Sequence, residues 1–200
     1  GVGISVVNAL STTLEVKVKR QGKVNYLRFV NGEADGKLKV IGQTHVNDVG
    51  TSIRFWPDGK YFDSNKFAIP QLKHVLRAKA VLCPGLRISF TNEQSGETDE
   101  WYYEDGVSAY LQTALVDVAR LPQTPFVGEF AASNEEAVWA VTWLIEGGEG
   151  ITESYVNLIP TAQGGTHVNG LRTGLIEAMR EFCEIRKILP RGVKLVAEDI

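Results

Sequence analysis

Cysteine, methionine and histidine are scarce in this chain: 2, 1 and 3 among 200 residues. Cys83 and Cys183 lie far apart among apolar neighbours, too few for a disulfide framework. Both are expected as buried, reduced thiols of a cytoplasmic protein. His45, His74 and His167 are dispersed and show no metal-ligand spacing, so no metal site is expected. No run of 18 apolar residues exists, which excludes a membrane-spanning helix. No basic segment leads into an apolar one at the start, so no secretion signal is read. A basic excess is missing too. The formal net charge is −3, which argues against a domain built mainly to grip nucleic acid and leaves a local basic face open.

What is present is an ordinary globular composition, 44% hydrophobic and 22% charged. The length suits one large domain or two small ones. A compact chain of this size buries roughly 70% of its unfolded surface, so a sizeable core is expected.

In GVGISVVNALS, Val2, Val6, Val7 and Leu10 recur at helical spacing after a Gly-Val-Gly start. Leu14, Val16 and Val18 then alternate with Glu15, Lys17 and Lys19, the period of a half-buried strand. Gln21-Gly22 reads as a hairpin turn and VNYLRFVNG as the returning strand, ended by Asn31-Gly32. LKVIG and TSIRFWP are further strands, the second closed by Pro57. Pro70 starts a helix whose buried face is Leu72, Val75, Leu76 and Ala80, stopped by Pro84-Gly85. Residues 87–91 and 98–103 flank a polar turn as a hairpin. VSAYLQTALVDVARLP, with Val107, Tyr110, Leu111, Leu115 and Val118 on one side, predicts one amphipathic helix. Strands are expected over 126–130, 137–145 and 154–159, and a long helix over 166–188. In that helix Gly170 and Gly174 share a face, so a close backbone neighbour is expected there. Few strands are separated by long helices, which speaks against a uniformly parallel sheet. The reading is α+β in two domains, 1–105 and 106–200, the first incomplete.

Two stretches invite chemistry. In the opening glycines, backbone can approach a phosphate closely, and a helix N-terminus adds free N–H groups and a positive dipole end. On pattern alone a loop that merely connects two elements is the better reading. The dinucleotide fingerprint fails, because Val6 stands where a third glycine or alanine is wanted and no strand precedes. That leaves a nicotinamide-dependent oxidoreductase as a remote alternative. The second stretch is TESYVNLIPTAQGGTHVNGLRTGL, residues 152–175. A strand ends at Pro160, Gly164-Gly165 form a loop, Thr166 is placed to cap the following helix, and His167 falls in its first turn. A ligand site and a plain strand-to-helix junction fit it equally.

GVGISVVNALS, GTSIRFWP (50–57) and TESYVNLIP…GGTH occur in this order and spacing. Together they resemble the ATPase subunit of bacterial type II topoisomerases, across essentially the whole chain. AKAVLCPG (78–85) and LPRGVKLVAEDI (189–200) resemble the topoisomerase IV branch more than the gyrase branch. The resemblance implies the end of a GHKL-type ATPase α/β sandwich, followed from residue 106 by a transducer domain of ribosomal-protein-like β-α-β fold. It implies ATP and Mg2+ as cofactors. By resemblance Gly1, Val2, Gly3 and Ile4 are the end of a glycine-rich lid whose amides hold phosphates. Thr51 helps hold the adenine through water, and Arg20 stands at the mouth of the pocket. Read from the residues alone, Thr51 is a strand residue and Arg20 a solvated hairpin charge.

The same resemblance places no catalytic residue in this chain. The water-activating Glu, the magnesium-holding Asn and the adenine-reading Asp are expected upstream of Gly1, and the γ-phosphate lysine of a Gln-Thr-Lys motif downstream of Ile200. The implied partners are DNA and the A subunit of topoisomerase IV, in a heterotetramer of two A and two B subunits, with ATP-linked dimerisation of the ATPase regions and no membrane. The 200-residue chain alone is expected to hydrolyse no ATP. The gyrase B subunit, or an interaction module without a working ATP pocket, stand as alternatives. For DNA, Arg172, Arg180, Arg186, Lys187 and Arg191 are candidates along the last helix, although a solvated face with intrahelical ion pairs explains them more simply.

Overall fold

The computed structural model describes residues 2–64, 66–146, 150–190 and 192–196. The chain divides into two compact units, Gly1–Ile69 and Pro70–Ile200.

The first unit is a helix laid on an antiparallel sheet. Helix α1 spans Val2–Ala9 and runs directly into β1, Ser11–Arg20. Strand β1 starts three residues earlier than its alternation predicts, because Ser11 caps the end of α1: its hydroxyl donates to the Val7 carbonyl at 2.6 Å. Gln21 and Gly22, at φ 53° and 72°, make the expected two-residue turn into β2, Lys23–Val30, with Arg20 opposite Lys23. Asn31-Gly32 does not simply end that strand. At φ 51° and 85° it makes a second such turn into a short strand, β3, Glu33–Ala34, paired with Phe29 and Val30. β4, Lys39–Gln43, pairs with the other end of β2, and β5, Gly50–Pro57, pairs with β1. β1 is thus central, and its Leu14 is only 2% exposed.

The second unit begins with α2, Ile69–Leu82, whose buried residues are Ala78, Ala80 and Val81. The expected face is only partly kept. Ala80 is buried, Leu72 and Leu76 are half-buried, and Val75 is exposed, because burial concentrates in the last turns. β6 (Ile88–Asn92) and β7 (Glu97–Trp101) form the expected hairpin. Lys73 of α2 reaches that hairpin, pairing with Asp99 at 2.8 Å and also with Glu97.

Helix α3, Gly106–Ala114, is shorter than the apolar stripe predicts. The stripe continues through Leu115, which is buried, but the backbone leaves the helix and becomes β8, Arg120–Ala131. Two prolines explain this. Leu121 and Thr124 precede Pro122 and Pro125 and are driven toward extended backbone. Arg120 then closes the corner by donating to the Leu115 and Gln123 carbonyls. Gly106 needs to be glycine: at φ 53° it is left-handed, and a Cβ would meet Pro84 Cγ at 3.0 Å and the Val81 carbonyl at 3.2 Å.

β8 pairs with β9, Glu136–Leu144. The strand expected over 154–159 is instead a small hairpin, β10 (Tyr155–Val156) and β11 (Ile159–Pro160), folded at Asn157-Leu158. Helix α4 spans Thr166–Arg186. Gly165, not Thr166, occupies its cap position, and no side chain caps it. Gly170 and Gly174 approach nothing, since a Cβ at either would meet no atom within 4 Å. Cys83 and Cys183 are unpaired and half-buried rather than fully buried. Among the described residues no helix is long and apolar enough to cross a membrane.

Candidate functional site

Strand alternation decides which side chains share a face of the first sheet. Leu14, Val16, Val18 and Arg20 of β1 point to one side, and Glu15, Lys17 and Lys19 to the other. Directly paired residues share a face. Thr51, Ile53 and Phe55, opposite Val18, Val16 and Leu14, therefore join the first set. Asn25, also opposite Val18, joins it from β2 and donates to the Val18 carbonyl at 3.3 Å. Helix α1 lies on this same face, where Val6, Val7, Leu10 and Phe55 line a cavity of about 100 Å3.

Of the sequence-predicted groups, Thr51 and Arg20 thus share one face of one sheet, and α1 packs on that face through its later turns, at Phe55. Val2, Gly3 and Ile4 form the first turn of α1 rather than a separate loop. Gly1 lies outside the described residues. The N–H groups of a first turn have no intrahelical acceptor, and they carry the positive end of the helix dipole. This end is open: Val2 is 79% exposed, and a Cβ on Gly3 would meet nothing within 4 Å. Thr51 is exposed, and Val16 and Val18 beside it are half-buried. Arg20 is exposed at the hairpin and has no ion-pair partner among the described residues. The arrangement offers amides and a dipole end to an anion, an apolar floor to a flat group, and a hydroxyl, an amide side chain and a guanidinium at its edge. Asn25 was missed from sequence because only the strand register brings it beside Thr51.

At the same strand end, Lys17, Lys19, Asp48, Ser52 and Thr51 itself line a depression of about 270 Å3. Asp48 accepts from Thr44 and, at 2.9 Å, from Lys19; these contacts, Thr44 first, hold its carboxyl below the usual range. Among the described residues no three His, Cys, Asp or Glu side chains gather that could hold a metal.

The second candidate stretch is occupied by internal contacts. His167 Nε2 lies 3.3 Å from Thr161 Oγ1, and Ser154 is hydrogen-bonded to Thr161. The basic residues of α4 are exposed, Arg172 among them, and differ in their contacts. Arg180 donates twice to the Leu195 carbonyl, at 2.9 and 2.6 Å, and so pins the chain that follows the helix. Arg186 stacks on Phe182, 5.7 Å from the ring centroid. Lys187 is the left-handed C-cap. Arg191 lies outside the described residues.

A model of the DNA gyrase B family matches residues 106–200. Over all 200 residues the chain is 59% identical to the B subunit of DNA topoisomerase 4 from Pseudomonas aeruginosa. Along its whole length the chain is similar to B subunits of bacterial type II DNA topoisomerases. It is 36% identical, over 206 aligned residues covering the whole chain, to the DNA gyrase B subunit of Halalkalibacterium halodurans. A solved structure, the topoisomerase IV ATP-binding domain of Francisella tularensis in complex with a small-molecule inhibitor, superposes with a TM-score of 0.78 at 39% identity. It covers 98% of this chain and 53% of that one. The mixed α/β fold of this chain is therefore that of the ATP-binding domain it superposes on. The chain spans 32% of the length of the Pseudomonas relative and 31% of the Halalkalibacterium one.

Proposed function

We propose that this chain is the part of a topoisomerase IV B subunit that closes one side of the nucleotide pocket and passes its state to a transducer. The observation that carries this reading is the 59% identity to a topoisomerase 4 B subunit against 36% to a gyrase B subunit, both across the whole chain. In this reading residues 1–105 complete a GHKL-type ATP-binding domain and residues 106–200 form most of the transducer. The amides of Gly1, Val2, Gly3 and Ile4 hold phosphate oxygens at the dipole end of α1. Thr51 holds the adenine through water above the Val16–Val18 floor, and Arg20 guards the mouth. The open turn of α1 and the shared face of Thr51 and Arg20 fit that role.

Bound ATP would favour closure through its differential binding free energy, and its hydrolysis would release that bias. What these residues do is bind and orient it, so that binding on one unit biases the arrangement of the other, the logic of ligand-linked closure. This reading assigns no Mg2+ ligand to these 200 residues. The intact cytoplasmic subunit would dimerise on binding ATP, pair with the A subunit as a heterotetramer, and pass one DNA duplex through another. The chain alone hydrolyses no ATP. Calorimetric titration with a non-hydrolysable ATP analogue and Mg2+ tests the pocket. Micromolar binding supports it, and absence of heat favours an interaction module without a working pocket.

A further inference from the structure

Residues 150–160 reach α4 along a path with little secondary structure of its own. Residues 150–154 are neither helix nor strand, and the β10–β11 hairpin has two residues per strand. Side chains hold it instead. Glu153 accepts one phenol on each carboxylate oxygen: Tyr110 at 2.8 Å and Tyr155 at 2.6 Å. Tyr110 is 7% exposed on α3. Its ring meets Tyr103 edge-on at 5.9 Å and carries the Arg77 guanidinium at 5.1 Å, and Arg77 also donates to its hydroxyl at 3.1 Å. Burial, and then Glu153, push the Tyr110 hydroxyl up to about 12, so it remains a proton donor at neutral pH. Two residues beyond Arg77 on α2, Lys79 donates to the Leu158 carbonyl.

The turn itself supplies an independent observation. Asn157 and Leu158 are both left-handed, at φ 49° and 68°. A two-residue hairpin with this backbone favours Asn-Gly. Asn suits the first place, but in left-handed backbone a leucine sets its Cβ against the following carbonyl oxygen. Leu158 remains 40% exposed, so deep burial does not offset that cost. The carbonyl of this strained residue is the one that Lys79 holds.

We propose that β10–β11 is a strained hairpin held shut by two tethers, Glu153–Tyr110 and Lys79–Leu158, and that this latch sets where the chain enters α4. With either tether released, Leu158 relaxes toward ordinary backbone. The Ser154–Thr161 bonds then remain as the hold on the base of the hairpin, ahead of Gly164-Gly165, at φ 71° and 156°, where the chain turns into α4. The device does not require the nucleotide reading above.

Hydrogen exchange by mass spectrometry on the full-length protein tests it. Lys79→Ala and Glu153→Ala are expected to speed exchange of amides 155–161 about tenfold while leaving β8–β9 unchanged. Lys79→Met keeps the aliphatic stem, should the alanine variant fold poorly, and is expected to do the same. Leu158→Gly is expected to slow exchange of those amides about fivefold, and Leu158→Asn to shift it the same way. An unstrained turn responds oppositely, because glycine costs conformational entropy and loses the leucine contacts. Faster exchange in both Leu158 variants, or unchanged exchange in the tether variants, would overturn the latch.

Discussion

Replacing Gly128 by alanine should displace a tryptophan. Gly128 of β8 faces Trp139 of β9 directly across the ladder, and the indole lies over the glycine. An added Cβ would sit 2.2 Å from Trp139 Cζ2, 2.3 Å from Cε2 and 2.6 Å from Nε1. Carbon atoms rest about 3.5–4.0 Å apart, so the ring has to retreat by roughly 1.5 Å. A rigid bicyclic side chain does not yield locally. It rotates away or pushes the strands apart, at an overpacking cost of about 1–3 kcal/mol. Urea unfolding followed by tryptophan emission reads both the stability and the ring's surroundings. Trp139→Leu in the Gly128→Ala background should restore part of the loss, with a coupling of about 1 kcal/mol in a double-mutant cycle. A Gly128→Ala protein less than about 0.5 kcal/mol weaker than the parent, with unchanged emission, would refute the reasoning.

Truncating Leu14 to alanine should cost about 2–5 kcal/mol, because it is the largest fully buried side chain among the described residues and sits on the central strand of the first sheet; thermal unfolding measures it. Asp48 has a depressed folded-state pKa, so its stabilising contribution is full above the ordinary value of 3.8 and is lost as pH falls through the folded value. Asp48→Asn should therefore flatten the acid limb of stability below about pH 4, seen by denaturant titration across pH. Tyr110 titrates near 12, above its ordinary 10.0, so its contribution is lost as pH rises from 10.0 toward 12. Tyr110→Phe should remove part of that alkaline loss, followed by phenolate absorbance. Thr51→Val should weaken binding of a non-hydrolysable ATP analogue about threefold to tenfold if its hydroxyl takes part; calorimetry reads the change.

The first sheet was legible because one face is apolar and the other wet. Leu14, Val16 and Val18 alternate with charged residues, and Gln21-Gly22 can adopt only a tight turn cheaply. β3 escaped notice because two residues carry no period. α3 was overextended because its stripe runs on through Leu115 and Val118, and the two prolines that end it act at a distance through their preceding residues. Thr166 resembled a cap by type alone, but the backbone placed Gly165 there. The candidate site was only half legible. Residue type gave no reason to choose Thr51 or Arg20 over their neighbours, and resemblance singled them out. The strand register then put them, with Asn25, on the face that carries α1. Glu153 and Tyr110 lie 43 positions apart, and nothing local in the sequence announces their bond.

The central claim is that the first turn of α1 and the Thr51 face hold the nucleotide. Hydrogen exchange on the full-length protein, with and without a non-hydrolysable ATP analogue and Mg2+, addresses it residue by residue. Slowed exchange in peptides covering residues 2–10 and 50–56 is the predicted result. Saturating nucleotide that leaves both peptides unchanged would contradict it.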